Sequence, residues 1–447
     1  MKNDITRRDA LALGASAAAL AATGATAQTA ASNIKAADVP APALPIEKGA
    51  SIRMLRPVRF VPADEEVFRG NAAKFTAKTG VEVKVDFVGW EDINQQTAVT
   101  SNSGAGPDII IGFGDQPHIY VDKLIELTDV AEYLGKRYGG WLSLAQIYGK
   151  RAKSNDWIGL PFGASGGPTV YRKSILNSVG YDKIPDDHAG FLEVCKKLQK
   201  IGKPAGYALG NAVGDGNGTA SWLLWSHNAS LLDEEGNVII NSKETIAALR
   251  FLKELYPTFI AGTPSWNDVS NNRAYSSQEI ALTANGISLY FSLKNDPALK
   301  AIADDTEHQF IPKGVAPISP MSGLTLNAMV FKHTQYPNAA KAFLMFMLEK
   351  EQYEPWLNAN SGYWAQPLAA YADAAVWSGD PKVAIFKDTM KSKYYNGYKG
   401  PISTATGAVN ADYVLVQMFA SVATGAATPE EAAAEAERRA KRYFRRS

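Results

Sequence analysis

Apolar and polar residues alternate along Val81-Glu82-Val83-Lys84-Val85-Asp86-Phe87, the period of a strand with one buried face. Ser51-Ile52-Arg53-Met54-Leu55 reads as a short strand before it, and Gly106-Pro107-Asp108-Ile109-Ile110-Ile111 leads into a third. Between the first two, residues 64–78 have helical character and end at Thr79-Gly80, where glycine supplies the C-cap. Strand, helix, strand, helix, strand at this spacing predicts a parallel α/β sheet.

Further along, the period changes to that of helices. Residues 189–201 put Phe191, Val194, Cys195 and Leu198 on one face, so Cys195 is expected to be a buried, inert thiol rather than a nucleophile. Residues 242–256 carry Ile246, Leu249, Leu252, Leu255 and Tyr256 toward a core. Residues 338–351 are apolar on several faces and predict a third, well-buried helix. Thr428-Pro429-Glu430-Glu431 opens a last helix with a capping box, and the basic residues from Arg438 to Arg446 suit its C-terminal dipole end.

The first residues follow a different rule. Arg7-Arg8 precede a soft apolar run from Ala10 to Ala22, and Ala25-Thr26-Ala27 offers the small residues of a signal-peptidase site. Residues 1–27 are therefore expected to be an export signal, of the twin-arginine type or an ordinary Sec signal with two arginines. Residues 28–48, rich in Ala and Pro, predict a flexible leader. The export segment holds three basic and two acidic residues, so the 46 basic and 45 acidic residues of the chain become equal in number after cleavage. A neutral mature chain gives no electrostatic reason to bind nucleic acid or an anionic membrane. With a single cysteine, Cys195, no intramolecular disulfide can form, and no cysteine follows the signal to take a lipid anchor. The length remaining suits two domains.

A series of short segments then falls in one order: Thr79-Gly80-Val81-Glu82-Val83, Gly106-Pro107-Asp108-Ile109-Ile110, Trp157-Ile158-Gly159-Leu160-Pro161-Phe162, Tyr171-Arg172-Lys173, Leu232-Asp233-Glu234-Glu235-Gly236-Asn237-Val238, Ala281-Leu282-Thr283-Ala284-Asn285-Gly286, and Pro337-Asn338-Ala339-Ala340-Lys341-Ala342-Phe343. In order and spacing they resemble the family 1 extracellular solute-binding proteins of ABC importers, the group of the maltodextrin-binding proteins, from about Ser51 to the C-terminus. The resemblance implies an α/β fold of two lobes with a hinge and an interlobe cleft. Residues 46–165 and 318–373 would build the N-terminal lobe, and residues 166–317 and 374–447 the C-terminal lobe. It also implies a non-enzymatic periplasmic monomer that captures a carbohydrate by lobe closure. The partners implied are an ABC permease and its cytoplasmic ATPase.

Sugars present apolar C–H faces and a rim of hydroxyls, which call for aromatic platforms and multidentate polar side chains. Ligands of open α/β sheets sit beyond the carboxyl ends of strands, which points to the loops after Leu55, Phe87, Ile111 and Phe162. Those loops carry Arg59 with Phe60, Trp90, Asp115 with Gln116, and Ser165. Asp115 either meets the ligand or caps the next helix; Trp90 either stacks on the ligand or packs beneath its loop. By the resemblance, Trp222, Trp225 and Tyr290 would face the cleft from the second lobe, with Gly323 and Trp364 near the crossover and rim. Ser288 and Tyr290 occupy the region where the family carries a stacking tryptophan, a departure that bears on the type of sugar. Arg59 and helix N-termini would suit the alternative of a polyol, glycerol phosphate or other polar metabolite.

Gly163-Ala164-Ser165-Gly166-Gly167 also matches the G-x-S-x-G of serine hydrolases, with Ser165 as nucleophile. That motif needs a helix after the serine, whereas Pro168 and the β-type residues Thr169-Val170-Tyr171 follow here. Neither cysteine spacing nor a metal-binding histidine pair occurs, and no metal or cofactor is expected. Gly214-Asp215-Gly216-Asn217-Gly218 lacks the closing glutamate of a calcium loop and reads as a flexible turn.

Overall fold

The alternating segment becomes the second strand of a five-stranded sheet in the computed structural model, which describes residues 33–445. The expected export signal, residues 1–27, lies outside the described residues. The sheet contains β1 (Ser51–Pro57), β2 (Glu82–Val88), β3 (Ile109–Phe113), β4 (Leu160–Gly166) and a strand from much later in the chain, Gly323–Val330. Its order places β2 at one edge, then β1, β3, the late strand and β4. β2 is half-exposed, as an edge strand with an alternating sequence should be, and the apolar run of β3 is wholly buried. β1 pairs in parallel with both β2 and β3. The Gly323–Val330 strand corrects the all-parallel expectation: it runs antiparallel to β3 and β4, pairing Phe113 with Leu326 and Ser165 with Leu324. It arrives from the other lobe and enters the sheet against its direction, a long-range event that no local period encodes.

The chain leaves this sheet after β4 and, past Gly167-Pro168, forms β5 (Thr169–Arg172) of a separate antiparallel sheet. There β5 lies between β6 (Leu282–Ala284) and β7 (Thr306–Gln309). After β7 the chain returns through residues 310–322 to the late strand, β8, and a final stretch ends in helices packed on the second lobe. Buried apolar residues form two clusters. One surrounds the five-stranded sheet; the other gathers Phe191, Trp222, Leu249 and Phe419 among helices. Ile287, Leu293 and Ile302, which precede β7, belong to the first cluster rather than the second.

Local signals explain the helix ends. Gly80, at φ 78°, closes the Ala63–Thr79 helix by donating its N–H to Thr76 O at 2.8 Å. Asp187 caps His188–Lys200 by accepting from Gly190 N, Ser242 caps Lys243–Leu255, and Thr428 and Glu431 form the capping box of Pro429–Phe444. Cys195 is fully buried and burial pushes its thiol pKa up, which keeps it unreactive.

Two expectations change. The helix expected over 338–351 is two helices, Pro337–Leu348 and Lys350–Ala359, broken at Glu349. At the break Glu349 has extended backbone, ψ 148°, and its carboxylate is held by Tyr133 Oη at 2.7 Å, Tyr138 Oη at 2.5 Å and Arg137 Nε at 3.0 Å, from all of which it accepts. The described part of the expected leader has no helix or strand, yet it is fastened to the first lobe. Ile34 is buried, Ala37 exchanges hydrogen bonds with Arg137, and the Glu47 carboxylate accepts from Asn338 N and Ala339 N at the start of the Pro337–Leu348 helix.

Candidate ligand-binding cleft

All four strands β1 to β4 run one way, so their carboxyl ends and the start of β8 meet at one edge of the sheet. That edge is one wall of a cleft enclosing about 1320 Å³, open mouth included. Phe60 follows β1, Trp90 and Asn94 follow β2, Asp115 and Gln116 follow β3, Ser165 is on β4, and Gly323 begins β8; all line the cleft. The opposite wall comes from Tyr207, the Asp215–Trp225 helix, Asp268, Asn271 and the Asn285-Gly286 turn, joined by Asn396 and Asn410.

Trp90 is held by its neighbours. Its indole Nε1 donates to Val58 O at 2.9 Å, Phe60 and Phe113 each pack at 4.7 Å, and Trp364 stacks behind it at 5.8 Å with planes 19° apart. Trp364 therefore supports the platform and stays in the core, off the cleft wall. Across the cleft, Trp222 stacks on Tyr207 at 5.3 Å, and its Nε1 donates to Pro312 O at 2.8 Å. Both tryptophans have spent their N–H on the fold; Trp222 and Tyr207 are 1% exposed and Trp90 5%, while Phe60 is half-buried and keeps ring surface at the cleft.

The polar groups divide into satisfied and unsatisfied. Gln116 bonds to Phe113 N through Oε1 at 3.2 Å and donates to Asn94 Oδ1, so it fixes its loop and positions Asn94. Ser165 hydrogen-bonds Tyr363. Asp115 precedes the Gln116–Ile119 turn of helix without capping it. Its Oδ1 accepts from Asn396 Nδ2 at 3.2 Å, its buried Oδ2 has no protein partner, and burial pushes its pKa up to about 6. On the far wall, Asp268 Oδ1 accepts from Gly214 N at 2.9 Å and Asp215 N at 2.7 Å. The buried Oδ2 atoms of Asp215 and Asp268 have no protein partner. Burial, then the neighbouring Asp268, raises Asp215 well above the carboxylate range; burial also raises Asp268. Among the described residues, no lysine, arginine or histidine lines this cleft.

Six of the ten expected residues thus stand along one cavity: Trp90, Asp115, Gln116, Ser165, Trp222 and Gly323. The other four stand elsewhere, for identifiable reasons. Trp225 is turned about 60° from Trp222 by helix geometry and packs on Tyr394 at 5.3 Å. Tyr290 donates to Asp380 Oδ2 at 2.8 Å and faces Lys294. Arg59, 43% exposed, pairs with Glu65 at 2.8 Å. Trp364 lies behind Trp90. Asp215, Asp268, Tyr207 and Tyr363 are cleft residues that sequence reasoning missed. The Gly214–Gly218 run is the start of a helix rather than a flexible turn, and Asp268 is brought to it from 54 residues away. The run GDGNG did flag an acid among glycines, the one signal available.

Residues 71–385 match the family model for bacterial extracellular solute-binding proteins, so the chain belongs to that family. The sugar transporter of Arthrobacter chlorophenolicus A6 with bound laminaribiose superposes with a TM-score of 0.74 at 20% identity, covering 88% of this chain and 99% of that one. Maltose-bound T. maritima MalE3 gives 0.72 at 19% identity over 88% and 99%. The ABC transporter solute-binding protein of Agrobacterium radiobacter K84 in complex with ribitol gives 0.73 at 16% identity over 88% and 98%. These likenesses define the two-lobe periplasmic binding protein fold. No curated protein matches the chain in sequence.

Proposed function

We propose that this protein is the capture component of an ABC importer, exported to the periplasm, closing its two lobes around a carbohydrate and delivering it to a membrane permease. The observation that carries the reading is one cleft lined from both walls by aromatic side chains, Trp90 and Phe60 on one and the more deeply buried Trp222 and Tyr207 on the other, together with aspartate and asparagine side chains. Aromatic faces take the C–H side of a sugar, and the acids and amides take its hydroxyls. The sugar and polyol complexes among the structural neighbours support the same ligand chemistry, and a polyol would use the same hydroxyl-binding rim. No bond-making step is assigned. Ser165 is followed by a second strand rather than a helix, and no histidine lines the cleft among the described residues.

A thermal-shift panel of mono- and oligosaccharides tests the reading, since a ligand of the native state raises its melting temperature. Selective stabilisation by a few sugars is expected, with a smaller radius of gyration by X-ray scattering on saturation. A protein indifferent to every sugar and polyol, or one that hydrolyses its ligand, would refute it.

A further inference from the structure

Every charged side chain on the described cleft wall is a carboxylate: Asp115, Asp215 and Asp268. Asp115 and Asp268 are only 3% and 7% exposed, and each keeps one buried oxygen without a protein partner. Asp215 and Asp268 are adjacent, since the Asp215 N–H donates to Asp268 Oδ1, and the free Oδ2 atoms of both are buried. Two neighbouring carboxylates away from water cannot both ionise unless a cation joins them. Where the protein buries a carboxylate for its own structure it provides that cation, as Arg56 does for Asp64. At the cleft it provides none, so the missing charge falls to the ligand. A phosphate or carboxylate on the ligand would add a further negative charge to the same place.

We propose that the cleft takes a carbohydrate bearing a protonated amine, with the ammonium group hydrogen-bonded by Asp215 and Asp268, and that it rejects phosphorylated and carboxylated sugars. The proposal rests on the carbohydrate reading above. An ammonium brings three donors to the two free carboxylate oxygens, and the aromatic lining of the cleft suits a cation as well as a pyranose ring. Burial raises both acids, with Asp268 adding to the rise of Asp215 and Glu91 to that of Asp268, and this expresses the same unmet need for positive charge.

Isothermal titration at pH 7 and low salt would compare matched sets on one frame: glucose, glucosamine and glucose 6-phosphate; galactose, galactosamine and galactose 6-phosphate; cellobiose and the β-1,4 glucosamine dimer. The amine in the set that binds is expected to bind at least about 10-fold more tightly than its neutral counterpart, on the order of one charge-assisted hydrogen bond. The phosphate is expected not to bind. Asp268→Asn keeps the Oδ1 acceptor for Gly214 and Asp215, and with Asp215→Asn it should erase the amine preference. Neutral sugar binding as tightly as the amine, a phosphate binding, or a preference that survives both substitutions would overturn the proposal and leave the carbohydrate reading standing. If no set contains a binder while a non-carbohydrate metabolite stabilises the protein, both readings fall.

Discussion

The molecule buries carboxylates in two places and treats them in opposite ways. Behind β1, Asp64 receives both Arg56 guanidinium nitrogens at 2.9 Å and Trp356 Nε1 at 2.5 Å, while the guanidinium lies 4.4 Å from the Phe68 ring centre. At the cleft, Asp215 and Asp268 have backbone and amide donors on one side and no base on the other. A charge pair closed by the fold serves the fold. A charge pair left open at a cavity wall is an invitation to a ligand, because only an incoming group completes it. The difference makes both regions open to test.

The largest effect is expected at the closed pair. Asp64→Asn strands the Arg56 charge in the core of the first lobe and should cost about 3–5 kcal/mol, measured by thermal or denaturant unfolding. A loss under about 1 kcal/mol would show that Arg56 reaches water and that the contrast with the cleft is weaker than drawn.

A steric change sharpens the cleft side. A Cβ on Gly286 would stand 2.6 Å from Ser165 Oγ and 3.0 Å from the Tyr363 ring. Gly286→Ala should therefore weaken sugar binding about 10-fold or more, near 1.4 kcal/mol, with the fold intact by circular dichroism. Unchanged affinity would place the ligand away from the Ser165–Tyr363 corner.

How much of this contrast is legible in sequence depends on how far apart its members lie. Trp90, Asp115 and Ser165 sit just past or at the ends of strands whose period is visible, and the rule of carboxyl ends points at their loops. The Asp215–Asp268 pair depends on contact between residues 53 positions apart, and the glycines beside Asp215 masked a helix start as a turn. The break at Glu349 is hidden for a related reason. Apolar residues continue across it through Tyr353 and Trp356, and the groups that hold Glu349 there, Tyr133, Arg137 and Tyr138, lie more than 200 positions earlier. Trp364 illustrates the reverse error: an aromatic in the right neighbourhood can hold the platform rather than be it.

Acidity offers a finer test of the open pair. The folded-state pKa values of Asp115, Asp215 and Asp268 lie above the unfolded carboxylate value of about 3.9, so the fold binds their protons more tightly than the unfolded chain does. Their contribution to stability is largest below about pH 4 and is lost as pH rises through about 6 for Asp115 and through the raised values of the other two. His118, His227 and His308 act oppositely. Burial holds each at about 4, so their contribution is present above about pH 6.5 and lost on acidification. Comparing Asp268→Asn with the parent at each pH cancels the histidines. The variant should gain on the unliganded parent as pH rises above the unfolded carboxylate value of about 4, reaching about 1 kcal/mol; a difference that is flat with pH would mean Asp268 is not under electrostatic strain.

The smallest effect belongs to an ion pair of a third kind, exposed and away from the cleft. Arg59 meets Glu65 at 2.8 Å with 43% of its side chain in water, where such a pair contributes roughly 0–1 kcal/mol. Arg59→Gln should shift unfolding by less than about 0.5 kcal/mol and leave sugar affinity unchanged within about twofold, by titration. It also separates ligand classes. An anionic ligand would need a base, and Arg59 is the arginine nearest in sequence to a cleft residue, Phe60. A large loss of affinity on removing it would mean that the ligand carries negative charge and reaches past the wall described, which would reverse the contrast between the two buried sites.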